Sequence, residues 1–514
     1  MKQPLLGVRA RLPTVIAAEV TALAVTALLL AAGTPGWPAL AVGVLVAVLG
    51  LVLTFSGLAL WHWMWLAARW VRHRQRKVAL ADGTDIEVDG APVGVIIDGH
   101  TVITMVAVWG RQYIPTLLHA RHAETPNTLP LTVIAEHMHR FGLGVDVDVV
   151  CEGRRTGTDS YAGLYSTFLG PRPAAGKRST TLVLRMDTRD ADTTRGLLWR
   201  RNTAEAAAAI TRRMVRALRQ AGCRAQILTA AQMHEATVAS LGGPEDASQV
   251  YRDEWSALHR PGRGYLTSYY LSADDVRASQ IDEVWSYPAE HTTLVMALRR
   301  DASAVRASVV VRLRTGQPLT SAPSLVLNRF TGRQWDALAL TLPRRARLTG
   351  LPSSPVDQDL NAAVVVGPSG VIIGKLGDGL LLMPLSDPSG PTRIAMHTDD
   401  DVAVRRLIRR AAAAGELVAV YDSTGRWTMR SASSHIWTSR DLTAQPPRPP
   451  TLVVHNGNSD PYPGAWVSIA VNGGSISEPD IVIEQRGDRI HLGTKRFNTV
   501  VEAVSFRNEQ PYLN

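Results

Sequence analysis

No charged side chain occurs between Val20 and Ala68, and five basic residues, Arg69, Arg72, Arg74, Arg76 and Lys77, follow at once. An apolar stretch of this length exceeds the roughly 20 residues needed to cross about 30 Å of hydrocarbon. Gly33-Thr34-Pro35-Gly36-Trp37-Pro38 interrupts it near the middle, and prolines cannot continue a helix because they lack the N–H. The pattern predicts a membrane hairpin of two helices, over residues 12–32 and 39–68, the second with length to spare for tilt or for reaching into the headgroups. A cleaved signal peptide would have a shorter apolar core and no second span behind it.

Orientation follows from the flanks, since Lys and Arg are retained on the cytoplasmic side. Lys2, Arg9 and Arg11 precede the first helix, the basic run follows the second, and the connecting turn carries no charge. Both termini are therefore expected in the cytosol, with residues 1–77 forming the anchor and its flanks. Trp61, Trp63, Trp65 and Trp70 cluster with Arg69, Arg72, Arg74, Arg76 and Lys77 at the cytosolic interface, where amphipathic indoles prefer to lie, and Trp37 sits at the opposite one.

The net charge of +10 is concentrated in this segment. Beyond Lys77 there are 47 basic against 44 acidic residues, and no basic run is interleaved with aromatics. The basicity is thus topogenic, available to anionic headgroups, and gives no footprint for a nucleic-acid partner. The two cysteines, Cys151 and Cys223, are read as reduced, buried thiols, because a chain this long needs no disulfide or thiolate zinc site to hold a core.

Two features inside the apolar segment bear on function. Gly43, Gly50 and Gly57, with Ala47 and Thr54 between them, recur every seven residues and so lie near one helical face, where small side chains let another backbone approach. The functional reading is an interface with another membrane helix; the bland one is that glycine is common in membrane spans. Glu19 is costly in lipid unless paired, protonated or snorkelled. His62 should lie at similar depth on the antiparallel helix, so a Glu19–His62 pair is one reading, and separate contact of each with headgroups or water the other.

After Lys77, strand-like and helical patterns alternate, which indicates an α/β (α+β) architecture. A hairpin is expected over 93–108 around Asp98-Gly99, a helix over 131–141, and strands over 145–151, 161–169 and 180–186. Helices are expected over 203–221, 231–240 and 273–284, with strands over 224–229, 264–271, 292–299 and 305–313. The Pro-rich stretch 342–355 marks a boundary between a first cytosolic domain, 78–345, and a second, 346–514. The second opens with Gly370-Val371-Ile372-Ile373, which echoes Gly94-Val95-Ile96-Ile97, followed by a helix over 402–414 and a strand over 417–421. A duplicated unit or a chance match of four apolar residues would both produce this. The stiff connector 445–450 leads to further strands and a terminal helix.

The chain offers little catalytic chemistry. Segments 170–177 and 370–375 have the wrong glycine spacing for a phosphate loop, and no Ser or Thr follows either lysine. No Gly-x-Ser-x-Gly elbow occurs. His119 with His122, and His137 with His139, lack the converging third and fourth ligands of a zinc site. Asp146-Val147-Asp148 has the Asp-x-Asp form that glycosyltransferases use to hold a metal and a nucleotide sugar, but it equally fits a strand showing one polar face to water. Neither a catalytic residue nor a cofactor or metal ligand is assigned.

The paired spans with their short Gly/Pro turn, the Trp- and Arg-rich exit 61–77, the Gly-Val-Ile-Ile-Asp-Gly strand at 94–99 and the Arg- and Ala-rich α/β region together resemble the EccE family, components of the type VII (ESX) secretion machinery of mycobacteria. The five lysines beside abundant Arg, Ala and Val fit a high-GC genome. The resemblance implies a non-enzymatic, structural subunit of the inner membrane. Its partners would be EccB, EccD and EccC, the last being the ATPase that supplies the energy. It implies no catalytic residue. The likeness drawn between the soluble part of this family and glycosyltransferase folds leaves a membrane-tethered enzyme using Asp146 and Asp148 as the alternative.

Overall fold

The computed structural model describes residues 6–8, 12–55, 58–200, 202–301, 304–345, 348, 350–429, 433–473 and 476–513. Helix α1, Leu12–Ala31, forms where the sequence predicts and ends at the Gly/Pro turn. Among the described residues it is the helix long and apolar enough to cross a membrane, and a shorter apolar helix covers Gly36–Val52.

The second helix departs from expectation. Helix α2 spans Gly36–Ala47, runs into a π-helical turn, Val48–Val52, and stops where Leu53 turns extended. Leu53–Phe55 then pairs with Leu6–Val8 on one side and with Leu58–Ala59 on the other. A separate helix, α3, occupies Leu60–Arg72. The uninterrupted helix expected over 39–68 is therefore incorrect. Hydropathy alone cannot register the break, because an N-terminal strand supplies the backbone partners that the extended residues would otherwise lack.

Beyond α3 the chain builds two large sheets. The first runs in the order Gln75–Lys77, Val250–Asp253, Leu258–Arg260, Gly264–Leu271, Val305–Thr315, His291–Arg300, Asp146–Arg154, Lys177–Asp187, Thr101–Trp109, Ala91–Asp98 and Thr84–Val88, antiparallel throughout. Helix Thr203–Gln220 covers one face. Asn202 caps it by accepting from the Ala204 amide at 2.8 Å, and Ala204, Ala207, Ala208, Thr211, Met214, Val215 and Leu218 form its buried stripe. Helices Ala230–Leu241 and Gln334–Leu340 cover the other face. Both sides of the central strands are consequently buried.

The second sheet is mixed. Ile436–Ser439, Val418–Tyr421, Leu452–His455, Val467–Val471, Thr392–Thr398 and Ile481–Arg486 run parallel, and the remaining strands are antiparallel. Helix Asp401–Ala414 packs on this sheet. Thr116–Leu118 and Ala123–Glu124 leave the first region to extend this sheet beside Gly379–Met383, while Ser354–Pro355 pairs back onto Val305–Thr315. The sheets thus exchange strands across the 342–355 stretch.

Two further expectations fail. Residues 162–169 form a helix, Ala162–Leu169, because Tyr161, Ala162, Tyr165, Phe168 and Leu169 bury one side at helical spacing. The helix expected over 273–284 is broken into short turns around Ala278–Glu283. The two Gly-Val-Ile-Ile hairpins do not introduce equivalent units. The strand Asp146–Arg154 inserts antiparallel in its sheet, whereas Val418–Tyr421 lies parallel to both neighbours.

Candidate anchoring and assembly site

Helix α3 and the strand after it join the apolar segment to the first sheet. Leu66 is buried, and Trp63 and Trp70, seven residues apart on the same side, both meet Trp255, with ring centroids at 6.1 and 5.5 Å. Trp255 sits in a left-handed turn (φ 67°) whose amide is held by the Asp253 carboxylate. Trp70 Nε1 donates to the Asp253 carbonyl at 2.8 Å. Arg69 makes a two-pronged pair with Asp336, at 2.7 and 3.2 Å, the geometry in which a guanidinium binds a carboxylate best. Arg74 lies over Trp70 and Arg76 over Trp335, and Gln75–Lys77 becomes the edge strand against Val250–Arg252.

The Trp- and Arg-rich exit therefore has two faces. Trp63, Arg69, Trp70 and Arg76 dock onto the body, while Trp61, Trp65, Arg72, Arg74 and Lys77 remain exposed beside Leu60, Met64 and Val71. Burial lowers the Arg76 pKa, with Arg69 adding to the effect, and raises that of Asp253. Asp253, Trp255, Trp335 and Asp336, the receiving side of this joint, carry no sequence signal beyond an indole in a polar turn.

Within the apolar segment, Gly43 is where α1 and α2 touch. A side chain there would collide with Thr26 Oγ1 and come within 2.6 Å of the Ala22 carbonyl oxygen. Ala39 and Ala47, one turn to either side, are also buried. The small-residue row thus follows a four-residue spacing on the inner side of the helix pair. A side chain at Gly50 would meet nothing within 4 Å, and Gly57 lies outside the described residues. Glu19 is exposed on α1, and among the described residues no hydrogen bond or ion pair joins it to His62, whose ring lies against Trp61 at 4.4 Å.

Both carboxylates of the Asp-x-Asp segment face arginines. Asp148 is fully buried, ion-paired with Arg185 and, at 2.6 Å, with Arg299. Arg185 is itself fixed by the Arg344 and Leu342 carbonyls at 2.9 and 2.8 Å. Burial opposes ionisation of Asp148, yet the two guanidinium groups hold its pKa below the usual carboxylate range. Asp146 is buried and faces Arg300 at 3.8 Å. The expectation of a water-facing polar side fails because Gln334–Leu340 and the segment after it roof this face of the sheet. Among the described residues no group of three or more His, Cys, Asp or Glu side chains is placed to hold a metal ion.

Comparison with known proteins finds secretion-system relatives. A family model described as "Putative type VII ESX secretion system translocon, EccE" matches residues 174–271. Along nearly the whole chain there is 28% identity to ESX-2 secretion system protein EccE2 of Mycobacterium tuberculosis, covering 92% of this chain and 91% of that one. The chain is similar to EccE proteins of ESX secretion systems. It is also 28% identical to ESX-5 secretion system protein EccE5 of Mycobacterium marinum, over 63% of this chain and 84% of that protein. Identity to ESX-1 secretion system protein EccE1 of Mycolicibacterium smegmatis is 24%, over 75% and 76%.

The stretch matched by the EccE model contains the Asp253–Trp255 turn that receives α3. Where the two sheets meet, a cleft of about 320 Å³ is lined by Trp109, Tyr113, Lys177, Arg224, Asp387 and Trp466. Arg224 pairs with Asp387 at 2.6 Å and Lys177 with Glu416 at 3.3 Å, so these two cations already have their anions. Cys151 and Cys223 are free and buried, and desolvation raises the Cys151 pKa to about 11, which keeps it an unreactive thiol.

Proposed function

We propose that this chain is a structural subunit of a type VII (ESX) secretion complex in the plasma membrane, assembling with EccB, EccC and EccD and leaving energy supply to the ATPase EccC. The observation that carries this reading is the similarity to EccE2 of the ESX-2 system over 92% of the chain. α1 and the Gly36–Val52 helix form the membrane hairpin, and both termini and the two sheets lie in the cytosol. The pairing of Leu6–Val8 with Leu53–Phe55 supports this topology, since it brings the two ends of the hairpin together. Gly50 offers the membrane face to a neighbouring subunit, while Trp61, Trp65, Arg72, Arg74 and Lys77 meet lipid headgroups. Glu19 and His62 act separately at the headgroup layer. The cytosolic part functions as two bodies, near 78–345 and 346–514, tied by their exchanged strands.

The test is affinity purification of the tagged full-length chain from native membranes in mild detergent, with size read by native gel and partners by mass spectrometry. Recovery in a megadalton assembly containing an ATPase is expected. Recovery as a small oligomer alone would overturn the reading.

A further inference from the structure

Phe141, Leu198 and Trp199 form an exposed apolar knob beside the first sheet. Trp199 is 91% exposed, Leu198 74% and Phe141 71%. They come from two segments, the tip of the hairpin His139–Gly144 and the end of helix Ala191–Leu197, held together by a glycine contact. A side chain at Gly196 would run into the Gly142 carbonyl, and one at Gly142 would come within 3.4 Å of Gly196 Cα. Phe141 holds a left-handed backbone (φ 55°), which a bulky residue rarely adopts. Arg213 stacks on its ring at 4.4 Å, and Arg200 donates to the Phe141 carbonyl at 3.4 Å.

The charge around the knob has one sign. Arg140, Arg200 and Arg213 have no carboxylate partner among the described residues. The nearby acids Asp190 and Asp192 are taken up by Arg300 and Arg195. Exposed aromatics ringed by unmatched arginines have the composition of a binding hot spot, in which Trp and Arg dominate the energy. Charge complementarity then selects the partner.

We propose that Phe141, Leu198 and Trp199 form a docking knob that inserts into an apolar groove edged by Asp and Glu side chains on another subunit of the secretion complex. This rests on the functional reading above and adds to it a cytosolic contact independent of the membrane helices. The knob is pre-shaped by the Gly142–Gly196 contact, so little ordering is needed on docking.

The experiment replaces Trp199 by Asp, and separately Arg140 by Glu, in the full-length chain, and measures recovery of each in the large assembly from native membranes. A photo-crosslinking residue at position 199 identifies what lies against it. Trp199→Asp is expected to reduce incorporation about tenfold, with the thermal unfolding midpoint unchanged. Arg140→Glu is expected to weaken incorporation in a salt-sensitive way, and the crosslink to fall on an acidic segment of another subunit. Wild-type recovery in the assembly together with normal incorporation of Trp199→Asp would overturn the knob alone. So would crosslinks only to lipid or to a second copy of this chain. Failure of the wild type to enter any large assembly would instead overturn the functional reading.

Discussion

Replacing Asp148 by Asn separates a structural carboxylate from a catalytic one. The side chain sits fully buried between Arg185, itself 1% exposed, and Arg299. Removing its charge leaves Arg185 held among carbonyl oxygens with no anion, and stranding one member of a buried pair costs about 3–5 kcal/mol. For a unit of this size each kcal/mol moves the melting midpoint by about 2–4 °C, so a fall of roughly 10 °C is expected. Thermal unfolding of the full-length chain in detergent, followed by near-UV circular dichroism, reads it directly. The double replacement Asp148→Leu with Arg185→Met should recover most of the loss, because an apolar pair of similar volume avoids the desolvation cost. A midpoint within about 2 °C of wild type for Asp148→Asn, accompanied by loss of a divalent-metal or nucleotide-sugar signal, would refute the ion-pair account.

Gly43→Val is expected to separate α1 from α2 and reduce the yield of folded chain in membranes, whereas Gly50→Val should leave the monomer intact; equal yields would place the helix contact elsewhere. Reversing Asp336 to Arg should loosen α3, seen as faster proteolysis near Arg72, and the swap Arg69→Asp with Asp336→Arg should restore protection. Burial raises the Glu152 pKa to about 7 against the pull of Arg312. Because the folded value lies above the unfolded one, this group favours folding fully below about pH 4.5, and the contribution is lost as the pH rises towards 7. Glu152→Gln should therefore lose less stability than wild type between pH 5 and pH 8, as measured by urea unfolding at each pH. Parallel curves would show that the carboxyl titrates normally.

What the sequence revealed was what local pattern controls. Asp98-Gly99 marks a real hairpin, with Asp98 opposite Thr101, and the Ala-rich stretch 203–221 marks a real helix, Thr203–Gln220. Error entered where distant residues decide. Val-Asp-Val-Asp-Val suggested a polar face because Arg185 and Arg299, which neutralise it, lie far along the chain. The 39–68 stretch looked like one helix because its interruption is stabilised by Leu6–Val8. The indoles of α3 stood out as a cluster in the sequence, but the partner of Trp63 and Trp70 did not, since Trp255 is nearly two hundred residues away.

The exchanged strands also bear on how the chain is made. Thr116–Leu118 pairs on one edge with the nearby Ala123–Glu124, but on the other with Gly379–Met383, which leaves the ribosome roughly 260 residues later. At about 5–20 residues per second the segment waits from about ten seconds to nearly a minute with one edge unpaired, after the preceding apolar helices have emerged. The first sheet can close around it, since its central strands all precede Ser354. The second cannot be completed until synthesis is nearly over, so the last third of the polypeptide folds onto a template laid down near the beginning.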